Sequence, residues 1–122
     1  MTYLNDEVLD GGLDYITANG SRLDICSQEP TTYAEATSTY TLGNKTSLSV
    51  GSPEDGASSG RRVIVAAITD GSVTGDGTAG FWAITDASSV LIATNSLSSS
   101  QAVTSSNTFT LDAFSITIPD PA

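Results

Sequence analysis

The sequence predicts a mainly β fold, an antiparallel β-sandwich carrying one N-terminal α-helix. Three observations lead there. Apolar residues recur near helical spacing only up to about residue 19 and then switch to alternation. Ser and Thr together exceed a quarter of the 122 residues while aromatic residues make up 7%, which suits short strands with hydroxyl-rich solvent faces better than a helical bundle. Near the C-terminus the apolar face changes phase, from Phe109 and Leu111 on odd positions to Phe114, Ile116 and Ile118 on even ones. A strand that carries a bulge, or that bends from one sheet into the other, produces this shift.

In chain order, residues 2–19 place Leu4, Val8, Leu9, Leu13 and Ile16 on an amphipathic helix, with Thr2 or Asn5 as N-cap and Gly20 as stop. Gly11 and Gly12 in its middle cost about 1 kcal/mol each relative to Ala, so they signal a break or a close approach to another backbone. "RLDIC", residues 22–26, alternates Leu23 and Ile25 against Asp24 and Cys26, a short strand with one face more apolar than the other. Residues 28–46 combine a Pro30 break, a one-turn helix around "TYAEA" and a Gly43-Asn44 turn, an irregular stretch anchored by Tyr33 and Tyr40. "SLSV" is a weak strand, and residues 51–60, "GSPEDGASSG", are a loop.

"RRVIVAAIT" has apolar residues on both alternating sets, so it reads as one strand covered on both faces, ended by turn chemistry in "DGSVTGDG". "TAGFWAIT" and "SVLIATNSL", separated by Asp86, Ala87 and Ser88, form a hairpin with Phe81 and Trp82 on opposite faces and Trp82 in the core. The last strand region runs to Ile118, and Pro119 and Pro121 end pairing in a short tail, 119–122. One helix and about six strands make a single domain, with the sandwich over 21–118.

The formal charge is −10, with Arg22, Lys45, Arg61 and Arg62 as the only basic residues. That balance opposes binding to nucleic acid, which needs clustered cations, and to anionic membrane surfaces. The acids crowded before residue 36 read as a solubilising surface. The start lacks the positive and apolar regions of a secretion signal, and no apolar run approaches the roughly 18 residues of a membrane span, so a soluble protein made without export is expected.

Absences narrow the chemistry. With no histidine, one cysteine and one lysine, Ser-His-Asp and Cys-His arrangements, structural zinc sites, redox cysteine pairs and Schiff-base catalysis lack their residues. A carboxylate pair would remain for an enzyme, but it has no sequence signature, and the protein is expected not to be one. "GDGTAG", residues 75–80, matches the letters of the dinucleotide fingerprint, yet a strand rather than a helix follows Gly80 and no acid stands about twenty residues on. The acidic turns "TDGSVTGDG" and "SPEDG" lack EF-hand spacing, and no metal or cofactor is expected. Cys26 stands between Asp24 and Glu29, acids that raise a thiol pKa, and reads as a poorly reactive strand-end cysteine.

Four segments in order, "LDICSQEPTTYAEATSTYTLG", "SGRRVIVAAITDG", "GTAGFWAITD" with the following "LIAT", and "AFSITIPDP", resemble a family of small virion structural proteins of tailed bacteriophages and prophages. The resemblance implies a non-catalytic β-sandwich protein without cofactors, made in the host cytoplasm and carried on the virion. Within that class it points to a capsid decoration, or cement, protein that binds the outside of the assembled head and clamps neighbouring major capsid proteins, most commonly as a homotrimer. The expected contacts are Tyr3 and Leu4 in the N-terminal segment, and Glu54, Asp55, Arg61 and Arg62 around the "SPEDGASSGRR" loop. The alternatives are packing of the helix on its own sheet and, for the two arginines, a solvated strand entry or local ion pairing with Glu54 and Asp55. A tail, fibre or head–tail joining component is the second virion reading. A carbohydrate-binding module is the third, and it would need two or three exposed coplanar rings.

Overall fold

The structure, a computed structural model, describes residues 6–56 and 60–118. Helix α1 (Asp6–Asn19) is followed by nine strands: β1 (Arg22–Cys26), β2 (Thr41–Thr46), β3 (Glu54–Asp55), β4 (Arg61–Val65), β5 (Ile68–Val73), β6 (Gly77–Thr85), β7 (Leu91–Val103), β8 (Thr108–Leu111) and β9 (Phe114–Ile118). A six-stranded curled sheet has the order β7-β6-β1-β2-β5-β8, and a three-stranded sheet the order β3-β4-β9. Every pairing is antiparallel. The expected mainly β sandwich with an N-terminal helix is the fold observed.

Between the sheets lies a core of Leu23, Ile25, Val65, Ile68, Val73, Trp82, Ile84 and Phe109, with Phe114 and Ile116 packed against it. The Trp82 and Phe114 rings meet at a centroid distance of 4.6 Å, tilted by 35°. Phe81 faces the other way, into a small cluster with Cys26, Ala36, Ala83 and Tyr40. Helix α1 buries Leu9, Leu13 and Ile16, the last two packing with Val63 of β4 and with Ile116 and Ile118 of β9. The helix is unbroken, and Val8, expected on the apolar face, is instead 60% exposed.

Four points of the sequence reading are settled, three as corrections and the second as a choice between the two alternatives left open. First, "RRVIVAAIT" is not one strand covered on both faces. β4 buries Val63 and Val65, Ala66 and Ala67 are exposed, and β5 resumes in the other sheet and runs on through Asp70-Gly71, where turn chemistry was expected. Second, the phase change between Leu111 and Phe114 is the matching passage, from β8 in one sheet to β9 in the other. The two passages face each other: Val65 pairs with Phe114 before the corner and Ile68 with Leu111 after it. The chain thus makes one long antiparallel ribbon, 61–73 against 108–118, folded over from sheet to sheet.

Third, residues 41–46 are not a turn but the interior strand β2, between β1 and β5. Gly43 is there because β5 comes too close for a side chain: a Cβ on it would lie 2.5 Å from the Ser72 carbonyl oxygen and 3.0 Å from Val73 Cα. Fourth, the 51–60 loop holds β3, whose Glu54 and Asp55 pair with Arg62 and Arg61, whereas "SLSV" contributes only a bridge from Val50 to Val65. The helical turn near "TYAEA" is present as a π turn over Glu35–Thr39, and the Asp86 turn closes as expected, its carboxylate accepting the Ser88, Ser89 and Val90 N–H groups. The proline tail, 119–122, lies outside the described residues.

The two glycine environments predict opposite effects. Gly43→Ala should destabilise the protein by about 1–3 kcal/mol, since backbone must shift. Gly11→Ala, where a Cβ meets nothing within 4 Å, should stabilise it by about 0.5–1 kcal/mol through helix propensity. Urea unfolding of both variants, read as midpoint shifts of opposite sign, checks the pair.

Candidate functional site

The six residues singled out as contacts divide in two. Tyr3 and Leu4 lie outside the described residues. Glu54, Asp55, Arg61 and Arg62 are brought together by the β3–β4 pairing, which sets Glu54 opposite Arg62 and Asp55 opposite Arg61. Arg61 Nη1 donates to Asp55 Oδ1 at 2.7 Å. Its other edge reaches helix α1, with Nε donating to Asp10 Oδ1 at 2.8 Å and Nη2 to Asp10 Oδ2 at 3.2 Å. The hydrogen bonds it donates to Asp10, and then to Asp55, hold the Arg61 pKa above its ordinary range. Arg62 contacts Glu54 at 3.3 Å, and its Nε is buried with no acceptor among the described residues. A planar guanidinium with five donors can bridge two carboxylates at once, which an ammonium does poorly.

Arg61 therefore ties the helix to the β3–β4 hairpin. Ile118, the last described residue of β9, pairs with the same arginine. One pole of the molecule is thus built from α1, the hairpin and the end of β9. Both alternatives weighed against lattice contact are present, since α1 packs on the smaller sheet and the two arginines pair locally with Asp55 and Glu54; Asp10, far away in the chain, leaves no local pattern and was missed.

The remaining two cations are also engaged. Lys45 Nζ lies 3.0 Å from Asp70. Arg22 forms a two-pronged pair with Asp24, Nε to Oδ1 at 2.8 Å and Nη2 to Oδ2 at 3.0 Å, and the Thr41 hydroxyl donates to the same carboxylate at 2.7 Å. Asp24 is completely buried, so the expectation that the early acids form only a solvated surface fails for it and for Asp10. The signal was readable: Arg22 and Asp24 are two apart on a strand and share a face.

Cys26 is completely buried, its Sγ 3.7 Å from the Ala36 carbonyl oxygen. Burial first, and the Asp24 carboxylate second, push the thiol up to about 12, while Glu29, the other acid expected to act on it, instead accepts a hydrogen bond from Thr94. Among the described residues no three of His, Cys, Asp and Glu gather as metal ligands, and no helix is long and apolar enough to cross a membrane. The acids of the two candidate calcium turns are held elsewhere: Asp70 by Lys45, Asp76 by the Ser105 N–H, and Glu54 and Asp55 by the arginines. The "GDGTAG" stretch runs straight into β6, with no helix at Gly80.

Trp82 is 8% exposed, and with Phe114 it forms the floor of a groove of about 520 Å³ rimmed by Asn95, Ser98, Gln101 and Asp112. A single tilted ring pair is not a coplanar sugar platform. No family model matches this chain, and none of the curated proteins or solved structures does either.

Three outcomes follow. Arg61→Ala should lower the urea midpoint more than Arg62→Ala, because it frees Asp10 and Asp55 together, and Arg61→Lys should recover only part of the loss. Cys26 should resist a thiol reagent at pH 8 in the native protein and react stoichiometrically once unfolded. Its raised pKa also fixes a sign: the unfolded thiol ionises from about 9.0 and the folded one only near 12, so the thiol's contribution to stability is full below pH 9 and declines as pH rises toward 12. Chemical unfolding at stepped alkaline pH, compared with Cys26→Ala, isolates that decline.

Proposed function

We propose that this protein is a bacteriophage capsid decoration, or cement, protein that binds the outer surface of the assembled head and stabilises contacts between major capsid proteins as a homo-oligomer. The observation that carries the reading is the pole at Arg61. Two regions assigned to lattice contact on separate stretches of sequence, the N-terminal segment and the "SPEDGASSGRR" loop, become neighbours through the Asp10–Arg61–Asp55 bridge. A clamp that spans two capsid subunits needs such a composite, rigidly connected surface.

Electrostatics support the same reading. All four Lys and Arg side chains are paired with carboxylates of the chain itself, so at a net charge of −10 no Lys or Arg among the described residues is left free to hold a packaged genome. Binding energy released only on the assembled lattice stabilises that lattice by mass action. A tail, fibre or joining component shares the fold requirement but not the need for a pole that bridges two subunits. The sugar-binding reading lacks its ring platform.

Purified protein mixed with undecorated heads should bind saturably at a fixed ratio to capsid subunits, and the Asp10→Asn/Arg61→Ala variant should bind about tenfold or more weakly with an unchanged circular dichroism spectrum. Binding to tails alone, or to no part of the virion, overturns the proposal.

A further inference from the structure

The six-stranded sheet curls, and its first and last strands, β7 and β8, are not hydrogen-bonded to each other. Two grooves lie along the gap between them, the one of about 520 Å³ already described and a second of about 160 Å³. They share Gln101 and Thr110, so together they form one continuous seam. Its lining is largely hydroxyl and amide side chains, among which stand the apolar Trp82, Leu97, Leu111 and Phe114 at one end and the buried Val73 and Phe109 at the other. A bulge sets Leu97–Ser100 of β7 opposite Gly80 alone, between the pairs Phe81–Ser96 and Ala79–Gln101, and Leu97 reaches the groove from it.

The seam has an unusual charge pattern for this chain. Residues 87–111, which include all of β7 and β8, contain no Asp, Glu, Lys or Arg. The charges that border it are Asp112 on its rim, Asp76, which accepts from the Ser105 N–H, and Glu29, which accepts from Thr94. Long free edge strands normally carry charged side chains that block pairing with other molecules, and β7, at Leu91–Val103, has none.

We infer that the β7–β8 seam is the surface through which two copies of this chain associate. Copies that each carry −10 repel one another over most of their surface. The uncharged seam is where that repulsion is least, where the half-buried Leu97, Leu111 and Phe114 remain to be covered, and where a strand edge has no partner among the described residues. A cationic foreign partner would be drawn instead to the acidic remainder of the surface. The inference locates the homo-oligomer contact that the cement reading requires, but it stands on the seam alone. A failure to bind heads would leave it intact, and a monomeric protein would sink it while head binding could still be measured.

Sedimentation equilibrium on the full chain tests it. The wild type should give a mass above the 12.5 kDa monomer, and association should strengthen with added salt, because screening relieves repulsion and no ion pair is lost. Ser99→Asp/Thr110→Asp, at exposed positions on the two sides of the seam, should raise the dissociation constant by more than about tenfold. Ser27→Asp/Gln28→Glu, which adds the same charge at exposed positions after β1, should leave it near the wild-type value, and circular dichroism should confirm folding of both. A wild type that stays monomeric into the millimolar range, seam variants that still associate, or equal weakening by both double variants overturns the inference. So does protection of β7 amides from hydrogen exchange that arises only when a different protein is added.

Discussion

Strand β1 has water on neither face. Leu23 and Ile25 point into the sandwich, Asp24 and Cys26 point the other way, and none of the four is more than 1% exposed. The second pair requires a cover, and the excursion from Ser27 to Tyr40 provides it, with Ala36 and Tyr40 seated on Cys26. It also requires chemistry. A carboxylate removed from water is costly by several kcal/mol unless it is paired and hydrogen-bonded, and Arg22 and Thr41 supply both partners for Asp24. The same two residues flank the strand pairing on which the larger sheet is built, Arg22 at the start of β1 and Thr41 at the start of β2.

From that strand the architecture extends outward in two directions. Toward one edge, β6 and β7 add a long hairpin whose far side has no partner strand among the described residues. Toward the other, β2 and β5 lead to the folded ribbon that makes the second sheet, and Arg61 on that ribbon reaches back to hold helix α1. The molecule thus has two surfaces of different character. One is an acidic pole organised by ion pairs; the other is an uncharged seam organised by missing ones. A protein that assembles with itself and with a different partner can use such a separation to keep the two contacts from competing.

What the sequence discloses depends on how local the cause is. Helix α1, β1, the β6–β7 hairpin and the corner after Leu111 all follow from periodicity within a few residues. β2 was hidden because "TLGNKT" carries one large apolar residue and a Gly-Asn pair that resembles a turn; its place is fixed by β1 and β5, and its glycine by the nearness of Ser72. The break between β4 and β5 has no turn residue, only Ala66 and Ala67 in an otherwise continuous apolar run. At the pole, partners six to eight residues from their arginines were within reach of sequence reasoning, and Asp10 was not. The C-terminal half of β7, "SLSSSQAV", offers almost no apolar alternation and gains its strand character from pairing with β6.

The folded ribbon also governs how the molecule bears load. Its two legs cross between the sheets side by side, each through a link of two residues, Ala66-Ala67 and Asp112-Ala113. Sheets joined only by side-chain packing can creep past one another under sustained stress. Here any sliding draws two peptide straps taut after roughly 7 Å at most, and from then on covalent bonds carry the tension. A body laced in this way behaves under pull as a rivet rather than as a spring.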